Sequence, residues 1–225
     1  MHPDLGTVSM FFFPFWFLLL LLAPLWLMLI YFNLIATSFA ALGLSPEAAF
    51  WLLVAVVLGS AVNIPIWRER VVQPGRARRL GFLLFYSEPP VVSERVLAVN
   101  LGGAVIPVLL ALYLLQRAPL GPSLAGAAVM TVLAKALARP IYGRGIAMPL
   151  LLPPLAAAVL GIMLGGQNAA PVAYVSGVLG TLVGADLLNL GRIRTLGAQV
   201  VSIGGAGVRD GIFLVGMVAA LIPAL

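Results

Sequence analysis

Charge is what this sequence has least of. Asp, Glu, Lys and Arg make up 9% of its 225 residues, against roughly 25% in an ordinary soluble domain, while 62% of the chain is hydrophobic. On that composition a water-soluble fold is excluded, and lipid is the expected solvent. Cysteine is absent, which excludes disulfides, thiolate catalysis and cysteine-based metal sites. Histidine occurs once, as His2, so no metal cluster and no metal or other cofactor is expected. Acids are scarcer than bases, 7 against 13, and the pI is near 10.5. In a soluble protein that excess would point to nucleic acid. Here the basic residues fall in short gaps between apolar runs, where they set orientation and touch headgroups, and no nucleic acid partner is expected.

The apolar runs are what the chain does contain. A spanning helix needs about 20 apolar residues, and breaks at charge, Gly and Pro divide the chain into seven such segments. They cover residues 10–41, 48–66, 96–115, 124–137, 146–164, 171–190 and 200–225. The first lacks the positive flank of a secretory signal and is expected to be retained. The second opens on Ser45-Pro46-Glu47, a helix start with proline in the first turn. Between the second and third lies the longest polar gap, residues 68–95, with an apolar insert at 81–86 suited to the membrane surface. The fold class expected is all-α: one transmembrane domain over residues 1–225, a polytopic bundle of about seven spanning helices in a cell membrane. Lys and Arg gather in alternate connections, leaving Arg117 alone on the other side. The positive-inside rule then puts the amino terminus in the cytoplasm and the carboxyl terminus outside.

A carboxylate near the centre of a bilayer costs about 2.5–3.5 kcal/mol, which makes intramembrane acids functional candidates. Asp4, Glu47, Glu69, Glu88 and Glu94 fall in termini, gaps or helix starts, leaving Asp186 and Asp210 embedded in apolar segments. Two carboxylates facing each other share a proton, the arrangement that aspartic proteases use to hydrolyse peptides without a metal. Around the second acid the chain reads SIGGAGVRDG over 202–211. Gly204, Gly205, Gly207 and Gly211 would let an extended peptide backbone approach and pair there.

Three runs carry a resemblance: Asn100-Leu-Gly-Gly-Ala-Val-Ile-Pro107, Gly184-Ala-Asp-Leu-Leu-Asn-Leu190 and Ser202-Ile-Gly-Gly-Ala-Gly-Val-Arg-Asp-Gly-Ile-Phe213. They resemble an uncharacterised family of prokaryotic multi-pass membrane proteins, one without an established activity. More distantly, the last two segments resemble the presenilin and signal-peptide-peptidase type of intramembrane aspartyl protease. That resemblance implies Asp186 and Asp210 as the catalytic pair, with the glycines and Pro223 of Pro223-Ala224-Leu225 at the substrate, a transmembrane peptide cut near the cytoplasmic face. Val208 and Arg209 stand between Gly207 and Asp210, where those enzymes place the acid directly after the glycine. Two alternatives remain open from the residues. One is a proton-coupled transporter, with broken helices at residues 100–107 and 148–154 framing a mid-depth site. The other is a non-catalytic membrane scaffold. Lys135 and Arg139 read as positive-inside anchors, and Gly177, Gly180 and Gly184 as helix-packing contacts.

Overall fold

The computed structural model describes residues 17–27, 29–30, 33, 39–40, 42–73, 77–80, 84–87, 91–141, 145–193, 200–205, 214–215 and 218. Helix α1 spans Phe17–Leu27. Helix α2, Pro46–Gly59, begins as the sequence requires: Pro46 stands in the first turn and the Ser45 hydroxyl accepts the Ala48 N–H at 3.2 Å. The chain then leaves helical structure for a long antiparallel pair, β1 (Asn63–Gln73) and β4 (Val91–Asn100). The short hairpin β2 (Ala77–Leu80) and β3 (Leu84–Ser87) lies between them in sequence. A π-helical turn, Leu101–Val105, leads into α3 (Ile106–Leu115), followed by α4 (Leu120–Leu137). The small hairpin β5 (Arg139–Ile141) and β6 (Gly145–Ala147) precedes α5 (Leu152–Gly165). Helix α6 (Ala169–Thr181) runs into a second π-helical turn, Leu182–Asp186, then a 3₁₀ turn, Leu187–Asn189, and the short α7, Leu190–Ile193. Strand β7, Val200–Ile203, joins β4 in parallel and completes a three-stranded sheet ordered β1-β4-β7.

The expected all-α bundle of about seven spanning helices is therefore corrected. Residues 63–66, expected to end the second span, begin β1, and 96–100, expected to open the third, end β4. The gap at 68–95 holds strands, and residues 200–203, expected to open the last span, form β7. The physical reason lies in side-chain shape and partnership. β1 and β4 are rich in Val and Ile, which crowd a helix and fit a pleat, and Pro65 withholds a donor where the pairing slips between Pro65 and Trp67. Their register sets Glu69 opposite Arg95 and Arg70 opposite Glu94, opposite charges at cross-strand positions.

Among the described residues, two helical stretches are long and apolar enough to cross a membrane, Leu120–Leu137 and Leu152–Arg192. The second is no straight rod. At Gly166 the backbone takes φ +53°, ψ −122°, and the two arms fold back on each other. A Cβ at Gly161 would stand 2.5 Å from that of Ala173, and one at Gly177 would stand 2.8 Å from that of Ala157. Those pairings run in opposite directions along the chain, so α5 and α6 are antiparallel neighbours at backbone distance. Helices α1, α2 and the 101–115 stretch are apolar but shorter.

The interior is lined by small residues, among them Ala111, Ala134, Ala157, Ala173, Ser123 and Ser176, all fully buried. Many large side chains point outward, and Trp51, Leu58, Leu109, Val132, Leu155 and Met163 are each at least 55% exposed, while Leu110, Leu114, Met130 and Tyr174 are buried with the small residues. Close backbone approach through small residues is a packing mode that helices in lipid use.

Candidate functional site at the sheet end of the bundle

The helices and the sheet meet at one end. Asn100, the last residue of β4, is buried and makes three hydrogen bonds there. Its amide donates to the Ser60 carbonyl at 2.8 Å and to Asn63 Oδ1 at 3.1 Å, and its Oδ1 accepts the Gly103 N–H at 2.6 Å. One side chain thus caps the π-helical turn and ties it to the end of α2 and the start of β1. Strand β7 joins the same network, because the Ser202 hydroxyl donates to Asn63 Oδ1 at 2.6 Å.

The turn after β7 carries the site. Gly204 has φ +68°, a conformation side chains rarely adopt, and packs onto the Leu101–Val105 turn. A Cβ on Gly204 would lie 2.7 Å from the Ala104 Cβ and from the Gly103 carbonyl oxygen. Its N–H is thereby aimed at the π-helical turn that follows α6, where it donates to Asp186 Oδ2 at 2.6 Å. Asp186 is 3% exposed. A carboxylate this deep is tolerable only where donors meet it, and among the described residues the Gly204 N–H is its hydrogen-bond donor.

Asp186 is delivered by an irregular helix end. Gly180 and Gly184 let α6 and its π-helical turn sit on α4: a Cβ at Gly180 would lie 2.8 Å from the Ala127 carbonyl oxygen, and one at Gly184 would lie 2.9 Å from the Ala134 Cβ. The expected packing role of these glycines is what their surroundings show. The change of hydrogen-bond register at Leu182–Asp186 frees backbone carbonyls, and the buried Asn189 amide collects two of them, Ala185 at 2.9 Å and Gly184 at 3.3 Å. Lys135 of α4 donates to Asn189 Oδ1 at 2.6 Å and to the Leu188 carbonyl at 2.5 Å.

Of the residues singled out in the sequence, Asp186 and Gly204 are in direct contact. Gly205 follows at the turn, its N–H donating to the Ser202 carbonyl at 3.0 Å. Asp210, Gly207, Gly211 and Pro223 lie outside the described residues. Among the described residues, Gly204 lies against Asp186 and Val215 against α6. A Cβ on Gly177 of α6 would meet the Val215 side chain. Lys135 and Asn189 were not among the sequence candidates. The signal available for Lys135 was its place in an otherwise apolar helix, which an anchor shares.

The arrangement brings together the three runs singled out by resemblance: Asn100 to Ala104, Gly184 to Asn189 and Ser202 to Gly205 occupy one site, though the first and last are about a hundred positions apart in sequence. Among the described residues no cluster of three or more His, Cys, Asp or Glu fits a metal ion. No curated protein and no solved structure matches the chain. Residues 57–222 match the family described as "Protein of unknown function (DUF1614)", a span that takes in α3 to β7 and every residue of the site, and the chain belongs to that family.

Proposed function

We propose that the chain is a membrane-embedded aspartyl protease-like protein that holds an extended transmembrane peptide beside Asp186, near the cytoplasmic face. The observation that carries this reading is the 2.6 Å hydrogen bond from the Gly204 N–H to a buried aspartate. It sets the one described intramembrane acid against the glycine-rich segment that leads to the other, Asp210. Strand β7 adds support. It ends at Gly204, pairs with β4 on one side, and stands last in the sheet order among the described strands, an edge suited to an incoming peptide strand.

The outward leucines and the small-residue interior favour lipid around several passes, namely α4 and the two arms on either side of Gly166. Orientation follows from charge. Arg68, Arg70, Arg95, Lys135 and Arg139 belong to the sheet end, whereas Arg117, between α3 and α4, lies at the other, where it stacks on Tyr113 at 4.5 Å. The sheet end is therefore the cytoplasmic one.

In this reading Asp186 and Asp210 share one proton. One carboxylate takes a proton from water as its oxygen attacks the peptide carbonyl carbon, and the other gives its proton to the carbonyl oxygen. Collapse of the tetrahedral species breaks the C–N bond and returns a proton to the leaving nitrogen. The proton-coupled transporter finds less support. The irregular turn at 101–105 lies at the sheet end, and Ile146, just before the 148–154 break, packs against Val201 of β7. Both breaks thus belong to one end of the bundle instead of framing a mid-depth site. Purified protein in vesicles, incubated with a transmembrane peptide, should release fragments. Asp186→Asn or Asp210→Asn should each lower the rate by at least roughly 10²–10⁴-fold. Cleavage that survives both substitutions removes the reading.

A further inference from the structure

We infer that Lys135 is a positioning residue for Asp186, acting through Asn189 and the Leu188 carbonyl. The inference rests on the reading of Asp186 given above and adds a residue to that site. Lys135 stands in the last turn of α4, the position of a membrane-surface anchor, and an anchor extends its ammonium toward headgroups and water. This one, half-buried, directs its donors to protein instead, with its Nζ within 2.5 Å of the Leu188 carbonyl and 2.6 Å of Asn189 Oδ1.

The partners explain the direction. A π-helical turn inserts one extra residue, which rotates the chain beyond it by about 100° relative to a regular helix. At Leu182–Asp186 that rotation decides where the Asp186 carboxylate points, and the 3₁₀ turn Leu187–Asn189 that follows tightens the chain again. Two successive departures from α geometry leave carbonyls without their usual partners, so they persist only when other donors replace the lost ones. The Asn189 amide supplies donors to Gly184 and Ala185, one and two residues before the aspartate. The Lys135 ammonium holds the opposite end of that amide and also takes the Leu188 carbonyl. Gly184 permits this: its missing Cβ allows the α4 backbone to approach so closely that a Cβ there would lie 3.0 Å from the Lys135 backbone nitrogen. The lysine charge therefore sits on the segment that aims Asp186 at Gly204.

The test uses the full chain in vesicles with aspartate labelled at its side-chain carboxyl carbon. The sequence has three aspartates, Asp4, Asp186 and Asp210, and subtracting the spectrum of Asp186→Asn isolates the infrared band of Asp186. Lys135→Met keeps the aliphatic stem and removes the donors, while Lys135→Arg keeps the charge and donors. Lys135→Met and Asn189→Leu should each shift the Asp186 band and reduce peptide cleavage at least tenfold, with Lys135→Arg returning both toward the parent. Should Lys135→Met fail to fold, Lys135→Leu, which likewise has no donor, takes its place in the comparison with the same expected and overturning results. An Asp186 band that coincides with the parent's in Lys135→Met, or an arginine variant no better than the methionine one, overturns the inference. A parent protein that cleaves nothing sinks the protease reading alone, since the infrared comparison needs no substrate and still decides the role of Lys135.

Discussion

Replacing Gly204 by alanine adds one methyl group where backbone conformation, packing and the buried aspartate meet. The φ of +68° costs a residue with a Cβ about 1–2 kcal/mol. The new Cβ would also stand 2.7 Å from Ala104 and from the Gly103 backbone. Those atoms belong to a turn fixed by the Asn100 cap, so overpacking adds about 1–3 kcal/mol. Any shift that relieves the overlap draws the Gly204 N–H away from Asp186, and a hydrogen bond to a charged group contributes about 1.5–3 kcal/mol. The parts overlap, and a net loss of about 3–6 kcal/mol is expected. In a chain of this size each kcal/mol moves Tm by about 2–4 °C, so Gly204→Ala should unfold roughly 6–24 °C below the parent in detergent, followed by loss of helical circular dichroism. If the aspartate is the partner through which part of this acts, the double variant with Asp186→Asn should be less destabilised than the sum of the two single changes. A Gly204→Ala protein melting within about 2 °C of the parent, or strictly additive effects, would refute the geometry assigned to this turn.

Other perturbations separate this account from a general sensitivity of glycines and polar residues. Gly121, in α4, has nothing within 4 Å of where a Cβ would stand. Gly121→Ala meets no distant neighbour, and because Pro122 disfavours helical backbone at a preceding residue that carries a Cβ, a helix-propensity gain of at most about 1 kcal/mol is offset and Tm should stay within about 4 °C of the parent in the same assay. Asn100→Leu removes the cap on Gly103 and the donors to Ser60 and Asn63 from a buried position. It should cost about 2–4 kcal/mol, read as a lower Tm together with faster hydrogen exchange at the Gly103 amide.

What the sequence revealed and what it hid divide along one physical line. Signals carried by a few neighbouring residues were legible. Ser45-Pro46-Glu47 announces a helix start, and the Ser45 hydroxyl caps α2. Glycines spaced along the sixth apolar segment announce close packing, and Gly177, Gly180 and Gly184 touch other backbones or side chains throughout. The scarcity of charge pointed to membrane-spanning helices, and among the described residues Leu120–Leu137 and Leu152–Arg192 are long and apolar enough to cross a membrane. The sheet was not legible, because hydropathy rates Val and Ile alike in a strand or a spanning helix. What separates the two is a partner elsewhere: β1 finds β4 some thirty positions later, and β7 finds β4 about a hundred positions earlier. Asp186 stood out because lipid makes any acid conspicuous. Its contact with Gly204 depended on that long-range pairing, and the roles of Lys135 and Asn189 on an irregular helix end that no local pattern announces.

The central claim is that the Gly204 N–H donates to the Asp186 carboxylate, and the sequence offers a direct view of that one proton. Ile203-Gly204 is the only Ile-Gly step in the chain, so labelling isoleucine at the carbonyl carbon and glycine at nitrogen yields a single amide resonance in a carbonyl-filtered spectrum. That resonance should be protected from exchange and shifted downfield in the parent, and Asp186→Leu should move it upfield and speed its exchange. An amide that exchanges freely in the parent, or that ignores the loss of the carboxylate, would contradict the account.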